Sequence, residues 1–95
     1  MVKFEWDAAK DESNRKKHRL GFETAKLVFE DPNCLTFVER IQDGEERWQA
    51  IGVVDDQVVV TVVHSYRAEG ARETIRIISA RRADPEERKL YDGTD

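Results

Sequence analysis

A single cysteine, Cys34, leaves this chain without an internal disulfide, and no Cys/His cluster has zinc-ligand spacing. Cys34 reads as a small buried residue, in keeping with a reducing compartment. None of the five glycines builds a phosphate-cradling loop, which removes the nucleotide-binding readings that depend on one. Long apolar runs are missing too. The valine-rich stretch at 58–63 is too short to span a bilayer, and residues 1–6 hold nothing resembling a signal peptide. These absences predict a cytoplasmic protein with no metal and no cofactor. Ninety-five residues allow one core and no deep pocket for a large cofactor, so 1–95 is expected to form one domain.

An excess of positive charge is also lacking. The formal net charge is −4, which on its face argues against a nucleic-acid enzyme. The distribution softens that objection. From His64 to Lys89 there are seven Lys/Arg against five Asp/Glu, or +2, while the rest of the chain carries −6. A local basic patch can hold phosphate under an acidic total, although long-range attraction to RNA is then weak.

What is present is clear periodic patterning, with no linker, repeat or low-complexity run. Phe4 and Trp6 mark a short opening strand, and Asp7 stands where a helix cap would, ahead of a polar helix reaching His18. Gly21 breaks it. Phe22, Ala25, Val28 and Phe29 recur at helical spacing until Asp31-Pro32. Strands follow at 35–38, 47–54, 57–66 and 73–80, with the Asp43-Gly44 hairpin signal after the first and a turn at Asp55-Asp56 after the second. Asp84-Pro85-Glu86-Glu87 opens a terminal helix with a cap, a proline at the first position and a carboxylate at the third. The expected class is α+β, order β-α-α-β-β-β-β-α, with a mostly antiparallel sheet and helices to one side of it. Trp6 and Trp48 fall in strand-like segments and read as core.

Four segments together resemble one known family. They are Phe4-Glu5-Trp6-Asp7 with Lys10, Asn14, Lys17-His18, Phe22-Glu23 and Ala25; Glu46-Arg47-Trp48 with Gly52; Val62-Val63-His64-Ser65-Tyr66-Arg67; and Ile75 through Ala83 with Glu87-Arg88 and Tyr91. In order and spacing these are similar to the BrnT family, over nearly the whole chain, the Ile-Arg-Ile-Ile-Ser-Ala-Arg stretch being the most specific part. The resemblance implies a compact RelE-like fold, a ribonuclease toxin of a type II toxin–antitoxin system, metal-independent RNA cleavage and growth arrest through blocked translation. It further implies a BrnA-type antitoxin with a ribbon-helix-helix DNA-binding part, a heterotetramer with two copies of each partner, and contact with DNA only through the antitoxin. Three features depart from the family pattern: Arg19 where many members have glycine, a long turn from Tyr66 to Arg72, and an acidic total charge.

Metal-free RNA cleavage needs a group to take the 2′-hydroxyl proton, cations for the phosphorane and an acid for the leaving oxygen. Arg67, Arg76 and Arg81 are candidates for the second role, since a guanidinium stays charged and pairs with phosphate oxygens. Simple alternation puts Arg76 and Arg82 on one sheet face and Arg81 on the other. Arg76 in an apolar strand either enters a site or lies on a solvent face. His64 is either a proton carrier or a half-buried histidine with a hydrogen bond. Tyr91 either exchanges a proton, as a C-terminal tyrosine does in RelE-like enzymes, or packs on the sheet. Glu73 reads as a base or as half of a cross-strand ion pair. Lys17 and His18 share one face of the first helix with Asn14 and, with Arg82, are candidates for RNA contact.

Two other readings compete with a nuclease. A non-catalytic module that serves as antitoxin partner and co-repressor would suit the acidic total charge. Direct DNA binding is disfavoured, because no helix carries a concentrated basic face with readout residues.

Overall fold

The structure, a computed structural model, describes residues 2–55 and 57–93, so Asp56 of the expected Asp55-Asp56 turn lies outside the described residues. The elements are β1 (Val2–Glu5), α1 (Ala8–His18), α2 (Phe22–Ala25) running into a 3-10 turn (Lys26–Glu30), β2 (Leu35–Gln42), β3 (Glu45–Val54), β4 (Val58–Glu69), β5 (Arg72–Arg82) and α3 (Pro85–Asp92). They build one five-stranded sheet in the order β1-β5-β4-β3-β2. Neighbours run antiparallel except β1, which lies parallel to β5.

Local chemistry explains the boundaries. The Asp7 carboxylate accepts from the amides of Ala9 and Lys10 at 2.7 and 3.3 Å, opening α1. That helix is nearly all polar, and Asn14 is its one buried residue. Because β1 pairs with β5 only as far as Arg76, the outer edge of β5 is open beyond it. The Asn14 amide fills the gap: Nδ2 donates to the Ala80 carbonyl at 2.8 Å and Oδ1 accepts from the Ala80 amide at 3.2 Å. Asp31 does the same for β3, whose pairing with β2 starts at Ile51; its Oδ2 accepts from the Val53 amide at 2.8 Å. Asp43 and Gly44, at φ 53° and 77°, make the tight β2–β3 turn. The Asp84 carboxylate and the Glu87 side chain cap α3 reciprocally.

The core lies on one face of the sheet, called here the inner face. Phe22, Ala25 and Val28 from the helical segment pack there on Ala50, Val60, Val62, Ile75, Ile77 and Ala80, with Trp6 against the cluster. Phe22 makes an edge-on ring contact with Trp6 at 6.0 Å.

Three expectations need correction. The helices do not share one side. Thr61 alternates with the core residues Val60 and Val62, so it points to the opposite, outer face, and there it donates to Glu87 of α3. A strand that carries core residues on one face still has to cover the apolar Ile51 and Val59 on the other, and both are buried. Simple alternation along β5 also fails. The register slips between Val63↔Ser79 and His64↔Ile77, leaving Ile78 as an extra residue, and such a bulge reverses which face later residues take. Arg76 and Arg81 therefore share the outer face and Arg82 turns to the inner one. Finally, the supposed long turn after Tyr66 is strand: β4 and β5 stay paired to Glu69↔Arg72, and Gly70 at φ 62° closes a two-residue turn.

Candidate nucleic-acid interface

Residues paired in register share a face, so strand pairing decides where the charged side chains meet. On the outer face Lys3, Thr74 and Arg67 form one row across β1, β5 and β4, and Glu5, Arg76 and Ser65 form the next. Arg72 pairs with Glu69 on the same face, while Arg40 and Arg47 pair across β2 and β3. Arg81 lies at the far end of β5, opposite Thr61 and beside α3. The outer face thus gathers basic groups from all five strands. At one end Lys3, Arg67 and Arg72 line a depression of about 340 Å³ together with Glu69, Glu73 and Thr74.

Most of these cations already have carboxylate neighbours. Arg76 Nη1 lies 3.1 Å from Glu5 Oε2, and both side chains are partly exposed. Arg67 Nε is 3.7 Å from Glu69, and Arg47 is paired with Glu45. Arg81 is held hardest, by a two-pronged bond to Glu87 at 2.7 and 2.8 Å. Burial pushes the Glu87 carboxyl up, but the bonds it accepts from Arg81, the Asp84 amide and Thr61 outweigh this and hold it below its ordinary value. The same bond to Glu87 raises Arg81, which stays charged. Among the described residues, Lys3 and Arg72 have no ion pair. Exposed pairs of this kind are worth little in water, so a phosphate can displace the carboxylate at Arg76 or Arg67 at small cost.

The other expected site residues lie elsewhere. His64 is on the inner face, only 3% exposed, at the base of a cavity of about 290 Å³ lined by Phe29, Thr36, Trp48, Tyr66 and Ile75. Phe29 meets its ring edge-on at 4.9 Å and Trp48 stacks on it at 6.5 Å. Its Nδ1 is buried without a hydrogen-bond partner, and burial lowers its pKa to about 4, so the ring is uncharged at neutral pH. Tyr91 donates to Asp31 Oδ2 at 2.5 Å, and that bond pushes the phenol up to about 12. Burial raises the Asp31 carboxyl, yet its bonds from Tyr91, Val53 and Asn33 keep it below its usual value. Glu73 accepts from the Tyr66 hydroxyl at 2.6 Å rather than pairing with an arginine. Lys17 and His18 line a depression at the open edge of β5, and His18 lines another with Arg82 at the inner-face end of that strand. The structure therefore puts Arg67, Arg76 and Arg81 on one face, spread along it, links Lys17 and Arg82 only through depressions that share His18, and joins neither His64 nor Tyr91 to either set.

Lys3, Glu5, Arg47 and Arg72 belong to the outer face without having been expected there. A signal existed for two of them: Phe4 faces the core, so Lys3 and Glu5 on either side of it must point the other way. Among the described residues no group of three His, Cys, Asp or Glu side chains is placed to hold a metal ion, and no helix is long and apolar enough to cross a membrane.

Comparison with known proteins agrees with this architecture. Residues 6–87 match the family model described as the ribonuclease toxin BrnT of a type II toxin–antitoxin system. No curated protein sequence matches the chain. Among solved structures, the chain is similar to the Brucella abortus ribonuclease toxin BrnT, known at 1.1 Å resolution, with a TM-score of 0.65 and 23% identity over 88% of this chain and 99% of that one. At that identity the likeness speaks for the fold.

Proposed function

Since this chain belongs to the BrnT family of type II toxin–antitoxin ribonucleases, we propose that it cuts RNA on the outer face of its sheet without a metal ion. The observation that carries this reading is the collection of Lys3, Arg67, Arg72, Arg76 and Arg81 on one face by strand register. Arg76 holds the scissile phosphate and, with Arg67 and Arg81 along the strand, offsets the charge that grows on the phosphorane. The cut is an attack of the 2′-oxygen on phosphorus, with its proton passing to a carboxylate and the 5′-oxygen leaving with a proton from water. Glu5, beside Arg76, is placed to take the first proton once phosphate has drawn the guanidinium away. This gives Glu5 the proton transfer otherwise expected of His64, which is buried on the inner face, and of Tyr91, which is bonded to Asp31. The products are a 2′,3′-cyclic phosphate and a 5′-hydroxyl.

The fold is of RelE-like type in this reading, and the cutting of RNA in the cytoplasm arrests translation and growth. A BrnA-type antitoxin neutralises the toxin in a heterotetramer and supplies its DNA contact. Induced expression of the chain alone tests the proposal: growth arrest with new RNA fragments, both lost in Arg76→Gln, is the expected result. A second reading, a non-catalytic antitoxin partner and co-repressor, is favoured by the carboxylates that already occupy Arg47, Arg67, Arg76 and Arg81. It predicts harmless expression of folded wild-type protein.

A further inference from the structure

We infer that a second set of cations, Lys10, Lys17, Arg19 and Arg82, placed around the His18 side chain, holds the backbone phosphates of an RNA strand flanking the cleaved bond. The inference rests on the ribonuclease reading above and extends it to a site outside the outer face. Two adjoining depressions carry it. One, of about 260 Å³, lies between α1 and β5 and is lined by Lys10, Ser13, Asn14, Lys17, His18, Ile78 and Ser79. The other, of about 210 Å³, is lined by His18, Arg19, Leu20, Gly21, Thr24 and Arg82, with Asp55 and apolar strand residues completing it. His18 lines both, so the two adjoin at that side chain and together make up the track.

The charge in this track is not neutralised in place. Most other helix cations are answered locally, Arg15 by Asp11 at 3.9 Å, Lys16 by Glu12 at 3.3 Å, Lys26 by Glu23 at 3.0 Å and Arg88 by Asp92 at 4.0 Å, with Lys89 of α3 the exception. Among the described residues, Lys10, Lys17, Arg19 and Arg82 have no ion pair, and Asp55 is the one carboxylate lining the track. Arg19 is notable for its backbone, at φ 57°, a left-handed conformation that suits glycine. Basic residues also offset the negative end of a helix, which accounts for Lys17 and Arg19 in part. It does not account for Lys10 in the first turn of α1, nor for Arg82 on a strand.

Continuity with the outer face identifies the occupant. Arg81 and Arg82 are consecutive residues at the end of β5 that turn to opposite faces, and Arg81 Nη1 donates to the Arg82 carbonyl at 3.2 Å. A strand leaving the Arg76–Arg81 face can therefore pass round the end of β5 onto Arg82 and along α1. Among the described residues the track has no Phe, Tyr or Trp to serve as a platform for bases, so backbone charge dominates what it holds.

The test is binding of a single-stranded 2′-O-methyl RNA, which cannot be cut, to the full chain by fluorescence anisotropy across a salt series. Each phosphate contact on a single strand contributes about 0.7 to the slope of log K against log salt. The variant Lys17→Gln/Arg19→Gly/Arg82→Gln is expected to flatten that slope by about 2 and so to weaken binding about a hundredfold at 0.1 M salt. Cleavage of a dinucleotide, which spans only the scissile bond, should be unchanged. Arg19→Gly alone should flatten the slope by about 0.7 while keeping or raising the melting temperature, so a loss of fold in the triple variant would not hide the answer. An unchanged slope in both variants overturns the track, as does absence of wild-type binding. A lower melting temperature with unchanged binding does so too, and assigns the cations to the helix end. A wild-type chain that binds with the expected slope but never cuts the dinucleotide contradicts the nuclease reading and leaves the track standing.

Discussion

Replacing His64 by leucine should make the protein more stable in acid while changing little at neutral pH. His64 is 3% exposed, its Nδ1 has no partner, and burial holds its pKa at about 4 against an ordinary 6.5. Between these two values the unfolded chain takes up a proton that the native ring refuses. Stability from this group is therefore full above pH of about 6.5 and is lost as pH falls towards about 4. A gap of about 2.5 pH units corresponds to about 3 kcal/mol. Leucine has no titration, fills a similar volume among Phe29, Trp48 and Ile75, and removes the unsatisfied nitrogen. Urea unfolding at a series of pH values should show the variant within about 1 kcal/mol of wild type at pH 7.5 and about 2 kcal/mol more stable at pH 4.5. Carboxylates that titrate in the same range cancel in the difference. Parallel curves for the two proteins would mean that the ring is hydrated or paired in solution, and would refute the argument.

Asn14→Ala should cost about 3 kcal/mol, because it strands the buried Ala80 amide and carbonyl at the open edge of β5; a loss below about 1 kcal/mol in urea unfolding would contradict that role. Tyr91→Phe should destabilise by about 1 kcal/mol and raise the Asp31 pKa, readable by carbon NMR of its carboxyl. Gly52→Ala should lower stability by about 2 kcal/mol in thermal unfolding, since the added carbon would stand 3.0 Å from both Val28 Cγ1 and the Val28 carbonyl oxygen.

The elements that were legible in the sequence are those set by local chemistry. Asp7, Asp43-Gly44 and Asp84-Pro85 act through bonds to amides two or three residues away or through their own backbone angles, and each does so in the structure. Features that depend on distant pairing were hidden. The parallel docking of β1 on β5, and the edges capped by Asn14 and Asp31, need knowledge of which strands end early. The side taken by α3 depends on a carboxylate, Glu87, finding Thr61 and Arg81 across the sheet. The candidate site suffered most from one residue: Ile78, extra at a bulge, reverses alternation and so decides that Arg81 joins Arg76 and that Arg82 leaves it. Residue type and family resemblance point to His64 and Tyr91 as proton carriers, but neither reveals that the first is buried or that the second is bonded to Asp31.

The measurement that bears most directly on the outer face as a nuclease site is RNA cleavage by purified protein in the presence of EDTA, wild type beside Arg76→Gln. Arg76 is partly exposed and its pair with Glu5 contributes little to stability, so the variant should fold as wild type does. The account predicts 2′,3′-cyclic phosphate ends from the wild type and a loss of rate of about a hundredfold or more in the variant. Equal cleavage by the two proteins, or cleavage that stops when the metal is removed, would contradict it.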